Sequence, residues 1–217
     1  MSINLTLLSM GTRERRERER EEIRTLILDA AREMFAAEGY DAVTMRRIAE
    51  RIEYSPTAIY FHFKDKDALM HELCDTDFAK LAQEFGPIAR IADPIERLHK
   101  VGHAYAEFGL RNPNHYRLMF MTPHPPFSRS DSRLQHGNPE EDAYAFLRQI
   151  IAEAMERGLL RRELKDPDLV SQTLWAAVHG VISLQIAKQN DAWIDWAPLK
   201  KRVTLMIDAV IRGIEKD

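Results

Sequence analysis

Cysteine is almost absent from this 217-residue chain: Cys74 stands alone. A single thiol excludes an internal disulfide framework and suits a reducing compartment, so a cytoplasmic protein is expected. Its setting on a helix, with only His71 as a basic neighbour, reads as packing rather than a nucleophile. Glycine and proline are scarce, at 9 and 10 residues, which argues against a turn-rich sheet fold and for helices. No run of about 20 apolar residues is apparent, so neither a membrane-crossing helix nor a membrane partner is expected. The opening MSINLTLLSM has no basic lead and only a short apolar stretch. It does not read as a secretory signal, and Met1 and Met10 both stand as candidate starts. Net charge is −3, so no global basic excess announces a nucleic-acid partner. Apolar residues make up 45%, enough for one large domain or two small ones.

What is present is helical punctuation. The run TRERRERERE, Thr12 to Glu21, alternates charge. It reads as a solvated or frayed helical extension over 1–21, the alternative being a basic arm on DNA phosphate weakened by its own glutamates. Ile23, Leu26, Ile27, Ala30, Ala31, Met34 and Phe35 recur at helical spacing and predict a helix over 22–38. Gly39 follows, where a helix end favours positive φ. Thr44 opens a second helix with an apolar stripe of Met45, Ile48, Ala49 and Ile52. Ser55 and Pro56 place an N-cap before a proline at the first helical position, predicting a short helix over 56–62. Only Glu53 to Ser55 separate these two helices, the spacing of a helix-turn-helix. Asp65 then caps a fourth helix.

Further helices are predicted from Pro94 to about Arg111, from Pro113 through Met121, over 139–157 and from Pro167 to about Asn190, with a last one opening at Pro198. Thr122 to Pro139, rich in Pro, Ser and His, reads as a long loop. The final two helices are apolar on several faces, so they need cover on several faces. A homodimer through Leu174, Val178, Val181, Ile182, Val203, Met206 and Val210 is expected, a core helix within a monomer being the alternative.

No metal site and no cofactor are expected. His99 and His103 have zinc-pair spacing but no third ligand in view. The run ERLH, Glu96 to His99, has the spacing of a di-iron motif but lacks a second copy.

The stretches GYDAVTMRRIA (Gly39 to Ala49) and YSPTAIYFHFKDKDAL (Tyr54 to Leu69) resemble the DNA-binding domain of the tetracycline-repressor (TetR) family. The resemblance covers roughly residues 22–70. WAAVHG, Trp175 to Gly180, resembles a motif in the ligand-binding and dimerisation half of one subset of that family. It implies an all-α homodimer with no enzymatic activity. A three-helix helix-turn-helix domain over 22–68 would precede a larger helical effector-binding and dimerisation domain over 69–217. Where the family turn usually has glycine, this chain has Glu53.

The resemblance implies that Tyr60 and His62 meet the DNA backbone, and each ring can donate a hydrogen bond to a phosphate oxygen. It also implies that Arg46 reaches a base, its fork suiting guanine; pairing with Glu50 is the alternative. Arg47 and Arg51 read as solvated. Thr44 and Lys66, at helix starts, are phosphate candidates. Ser55, Pro56, Thr57 and Ala58 are small, so the start of the 56–62 helix can approach base edges. Ile59 and Phe63 serve the core, and Phe61 stays open. His103, Tyr105, Phe108, Met119, Phe120, Tyr144, Trp175 and His179 mix apolar walls with polar tips, as a small-molecule pocket requires. The expected partners are a double-stranded palindromic operator, a second copy of the chain and a small, partly apolar effector. The expected function is a repressor released from its operator by that effector. The alternatives are a regulator of the same fold acting without a small ligand and, more distantly, a helical enzyme.

Overall fold

A computed structural model describes residues 3–124 and 132–216. Among these residues nine α-helices follow one another: α1 Ile3–Glu38, α2 Met45–Arg51, α3 Pro56–His62, α4 Lys66–Phe85, α5 Pro94–Arg111, α6 Pro113–Phe120, α7 Ala143–Glu156, α8 Pro167–Lys188 and α9 Leu199–Ile214. No strand occurs among them; a single antiparallel bridge pairs Leu160 with Glu215. The part of the expected loop over 125–131 lies outside the described residues. The chain forms two compact units whose boundary falls within α4, between Leu73 and Cys74. The sequence placed it at 68/69. The start of α4 belongs to the first unit because Asp67 accepts a hydrogen bond from Tyr40 and Glu72 pairs with Arg24 of α1.

In the first unit α1 supplies one apolar stripe, with Ile27, Ala31 and Phe35 fully buried. Each large side chain of this kind contributes about 1.5–3 kcal/mol by leaving water. The helix extends back through the charged run to Ile3. Gly39 ends it at φ 83 and turns the chain towards α2. Thr44 caps α2, its hydroxyl oxygen accepting from the Arg47 N–H at 3.2 Å. The exit from α2 is a Schellman arrangement, in which Tyr54 N–H bonds Ala49 carbonyl at 2.9 Å and Glu53 N–H bonds Glu50 carbonyl at 3.3 Å. That geometry needs a left-handed residue, and Glu53 supplies it at φ 60. Gly158 holds the equivalent position after α7, at φ 67 and without a Cβ. Glu53→Gly should therefore stabilise the first unit by about 1 kcal/mol. Its thermal midpoint should rise by about 4–8 °C, and an unchanged midpoint would mean the strain is absent.

In the second unit α5 to α9 enclose one core that includes Leu98, Phe108, Tyr116, Ile150, Ile182 and Ile207. Asp93, Asp142 and Asp166 cap α5, α7 and α8 through their carboxylates. The α7 start lies four residues beyond the sequence expectation because Asp142, not the Asn138–Pro139 pair, accepts the free N–H groups of Tyr144 and Ala145. Gly109 on α5 marks the tightest approach: a Cβ there would lie 2.7 Å from the Tyr116 ring and 2.8 Å from Ile182. Glycine at this position lets α5, α6 and α8 close on one another.

Helix α8 corrects one expectation. This 22-residue helix contains an 18-residue window with a mean hydropathy of 1.3, long and apolar enough to cross a membrane by length and composition. Interspersed Ser, Thr, Gln and His break the visible apolar run while leaving the average high. Val170, Leu174, Val178, Ile182 and Ile186 of this helix are buried against the chain's own core.

Candidate nucleic-acid interface and effector-domain site

Helix α3 is held by two side chains. Ile59 is fully buried and Phe63, at the C-cap, nearly so. Ser55 caps the helix by accepting from Ala58 N–H at 3.2 Å, with Pro56 at the first turn. Ser55, Pro56 and Thr57 are exposed and Ala58 half-exposed, so the small-residue start of α3 is open. Tyr60 is 54% and Phe61 70% exposed. Phe61 thus leaves the core, and the Arg20 guanidinium lies over its ring at 5.3 Å.

His62 is only half-exposed, and its Nδ1 is buried without a hydrogen-bond partner. Burial first, then the nearby Arg20 and Arg24 guanidiniums, hold its pKa below the usual histidine value. A neutral ring keeps one N–H, and the tautomer that carries it on Nε2 offers a single donor. Arg24 backs this end of α3, donating to the His62 carbonyl at 3.2 Å and stacking over Phe63 at 4.5 Å.

The cations divide by what they already hold. Arg46 is exposed and pairs with Glu50 at 2.9 Å, the surface arrangement that i,i+4 spacing allows. Arg47 does not float in solvent; it donates to Glu38 at 2.7 Å and to the Ala42 carbonyl at 2.8 Å. Lys66 points inward. Its ammonium bonds the Tyr40 and Val43 carbonyls at 2.9 and 3.1 Å and sits over the Tyr40 ring. These contacts leave the Lys66 side chain one proton for any phosphate, so its first task is to fasten the α1–α2 turn. Thr44 is exposed, with its oxygen engaged in the cap and its hydroxyl proton still available.

In the second unit four of the eight residues expected to line a pocket converge, and Tyr116 joins them. Trp175 Nε1 donates to the Tyr105 hydroxyl at 3.0 Å, the Tyr105 and Tyr116 hydroxyls lie 3.0 Å apart, and the Tyr116 hydroxyl is 2.7 Å from His179 Nδ1. Phe120 packs among Tyr105, Tyr116, Trp175 and His179, and Phe78 of α4 closes on it edge-on. Tyr144 touches the Trp175 ring but spends its hydroxyl on Asp168 at 2.8 Å. Phe108 and Met119 are ordinary core, and His103 lies apart, its electrostatic neighbours being His99, Asp208, Glu107 and Lys100. Tyr116 was legible in principle: it stands four residues before Phe120 on α6, on the same face.

The short contacts through Tyr116 favour one direction over the longer 3.5 Å approach of the Tyr105 hydroxyl to His179 Nδ1. Tyr105 accepts from Trp175, so its own proton goes to Tyr116, whose proton goes to His179 Nδ1. Every polar atom is then used, and His179 keeps an Nε2–H with no protein partner among the described residues. Burial pushes Tyr105 up to about 12 and raises Tyr116 further, so both stay protonated. Burial lowers His179 and keeps it neutral. A proton on Nδ1 would reverse the Tyr116 bond and leave the Tyr105 hydroxyl without an acceptor. Because the folded pKa is depressed, the unfolded chain binds this proton more readily, and stability is lost as pH falls below the ordinary histidine value of about 6.5. His179→Gln should flatten the acid side of the stability profile, read as thermal midpoint between pH 7 and 5; an unchanged slope would remove His179 from the relay.

Four of the seven expected dimer residues need correction. Leu174, Val178, Ile182 and Val203 are buried in the chain's own core, and Val181, Met206 and Val210 pack partly against it. They turn inward because a helix that is apolar all round has an inner face as well as an outer one. The outer stripe is Leu169, Thr173, Ala176, Gly180 and Leu184 on α8, with Leu205, Ala209 and Gly213 on α9. Leu169, Leu184 and Leu205 are 60%, 50% and 71% exposed. A Cβ at Gly180 or Gly213 would meet nothing within 4 Å.

Among the described residues no group of three or more His, Cys, Asp or Glu is placed to hold a metal. His99 instead faces Asp208 at 3.4 Å. Cys74 is buried.

A three-helix head with a capped α2, a Schellman turn and a short exposed α3 defines a helix-turn-helix protein. Residues 27–73 match the family of bacterial regulatory proteins described as tetR, and residues 98–210 match the tetracyclin repressor-like C-terminal domain. The second match alone covers more than half of the chain, and the chain belongs to the TetR family, one of transcriptional regulators rather than enzymes.

The head is similar to that of the transcriptional repressor Rv1474c of Mycobacterium tuberculosis, at 48% identity over 59 residues, 27% of this chain and 32% of that protein. It is also similar to the transcriptional regulator UidR of Escherichia coli, at 35% identity over 80 residues, 37% and 38% of the two chains. These matches span only about a third of each relative. The whole fold resembles a TetR family regulator from Marinobacter aquaeolei, with a TM-score of 0.72 and 17% identity over 93% of this chain and 100% of that one. It also resembles PfmR of Thermus thermophilus, with a TM-score of 0.68 and 22% identity over 88% and 99%.

Proposed function

We propose that the chain is a cytoplasmic, homodimeric repressor that binds a palindromic operator and is released by a small, partly apolar effector. The observation that carries the DNA reading is α3 itself: its small-residue start is open, and Tyr60 projects beside it while Ile59 and Phe63 anchor it. Ser55, Pro56, Thr57 and Ala58 enter the major groove, and Tyr60, His62 Nε2–H and Thr44 meet phosphates. Arg46 leaves an exposed, weak pair with Glu50 to reach a base edge. The outer stripe of α8 and α9 forms the two-fold interface, its small residues allowing helices of the two copies to approach closely.

The effector lies against Tyr105, Phe120, Trp175 and His179, and the unused His179 Nε2–H gives it one directed hydrogen bond. This relay favours effector control over a regulator without a ligand, since it leaves a donor facing away from its own partners. By linkage, DNA must weaken effector binding by the same factor as effector weakens DNA binding.

Selection of bound sequences from a random duplex pool tests the reading; recovery of no palindrome overturns it. On the selected duplex, Tyr60→Ala should weaken binding to operator and random DNA alike. Arg46→Ala should cost about 1–3 kcal/mol and relax preference at one base pair. A uniform loss for Arg46→Ala would assign it to phosphate.

A further inference from the structure

Helical geometry sorts the alternating charges of the N-terminal run. With 3.6 residues per turn, Arg13, Arg16, Arg20 and Arg24 fall on one side of α1, in line with the buried Ile27. Glu14, Glu19, Glu21 and Glu22 fall on other sides. This side faces α3: Arg24 reaches the His62 carbonyl and the Phe63 ring, and Arg20 lies over Phe61. Towards the N-terminus the row continues past α3, with Arg13 and Arg16 exposed. Arg13 pairs loosely with Glu17 at 3.5 Å, both largely exposed. Arg16 and Arg20 make no ion pair among the described residues.

We propose that Arg13, Arg16 and Arg20 form a cationic row that grips the DNA backbone outside the half-site read by α3. The inference rests on the DNA-binding reading and adds a second contact surface to it. Charge complementarity selects the occupant. The row starts beside Phe61, between the phosphate-facing Tyr60 and His62, and presents three guanidiniums in a line. From Arg20 to Arg13 it extends about 10 Å at 1.5 Å per residue, the rise of about three base pairs. Glu14, Glu19, Glu21 and Glu22 do not cancel this face, because the helix turns them away; Glu17 alone shares it, in its loose pair with Arg13. Arg20 is partly committed to Phe61, which positions it, and Arg13 is loosely paired with Glu17; Arg16 is the free member of the row.

The test uses the full chain and a duplex selected from a random pool, in two lengths: the palindrome alone, and the palindrome with flanks long enough to reach the row. Affinity is read by fluorescence anisotropy across a salt series. Each phosphate contact contributes about 0.9 to the slope of log affinity against log salt. The double variant Arg13→Ala with Arg16→Ala should lower that slope by up to about 1.8 on the flanked duplex and leave the short duplex unchanged. Alanine keeps α1 helical, which circular dichroism confirms. Glu17→Gln, which releases Arg13, should steepen the flanked slope only. Slopes unchanged by both variants on both lengths overturn the row, as they would if it served an acidic protein instead. Equal losses on the two lengths also overturn it, since the contact would then lie within the half-site. A wild-type chain that selects no duplex overturns the DNA-binding reading and the row with it.

Discussion

Leu205→Asp leaves the chain monomeric and lowers its affinity for a two-half-site duplex by roughly 10²–10⁴-fold, the part of the affinity that comes from engaging two linked heads at once. Leu205 is the most exposed of the three leucines of the α8–α9 stripe, at 71%. A carboxylate there is harmless to a lone chain, because it stays in water. In a dimer it would be buried without a partner, which costs several kcal/mol. Leu184→Asp tests α8 in the same way, from a half-exposed position. Light scattering gives the mass, and the thermal midpoint of the second unit shows that the fold survives. A variant that remains dimeric removes this face from the interface. Val178→Asp would not make that test. Val178 lies in the chain's own core, so an aspartate there unfolds the unit and reports nothing about association.

Ile59→Ala should cost about 2–5 kcal/mol and disable DNA binding before it disturbs the second unit. Helix α3 has 7 residues, too few to persist on local hydrogen bonds alone. Its place depends on the fully buried Ile59 and on Phe63 at its end. Removing three methyl-sized groups from Ile59 leaves a cavity under the helix whose start is proposed to enter the groove. Amide exchange should show α3 and the end of α2 opening, while α5 to α9 keep their protection, since the two units carry separate cores. Uniform loss of protection across both units would mean that the head has no independent stability.

Much of the fold was legible because its boundaries are marked by chemistry that acts locally. Ser55–Pro56, Asp93–Pro94 and Asp166–Pro167 each announce a helix start, and α3, α5 and α8 begin at those prolines. The left-handed residue at Glu53 was implied only by the family resemblance, in which glycine usually stands there, with a remodelled turn as the alternative; φ 60 shows that the position keeps positive φ. The site was less legible. Tyr105, Phe120, Trp175 and His179 were expected to share a pocket, and they do meet. His103, Phe108 and Met119 were expected with them; Phe108 and Met119 are buried in the same core, and His103 has His99 and Asp208 among its electrostatic neighbours. Residue type gives the capacity to line a site, whereas membership depends on how α5, α6 and α8 are rotated against one another. Gly109 sets part of that rotation through what it lacks.

The sequence by itself determined the starts of α3, α5 and α8, though not that of α7, that α3 would be short and small at its entrance, and that Ile59 and Phe63 would anchor it. All of these follow from interactions within a few residues. Only the tertiary structure decided which face of an all-round apolar helix is inside. Leu174, Val178, Ile182 and Val203 went to the core, and Leu169, Leu184 and Leu205 stayed outside. Periodicity cannot make that choice when every face of the helix is apolar. It is made by the neighbours, through the close packing of α5, α7 and α9 on one side of α8.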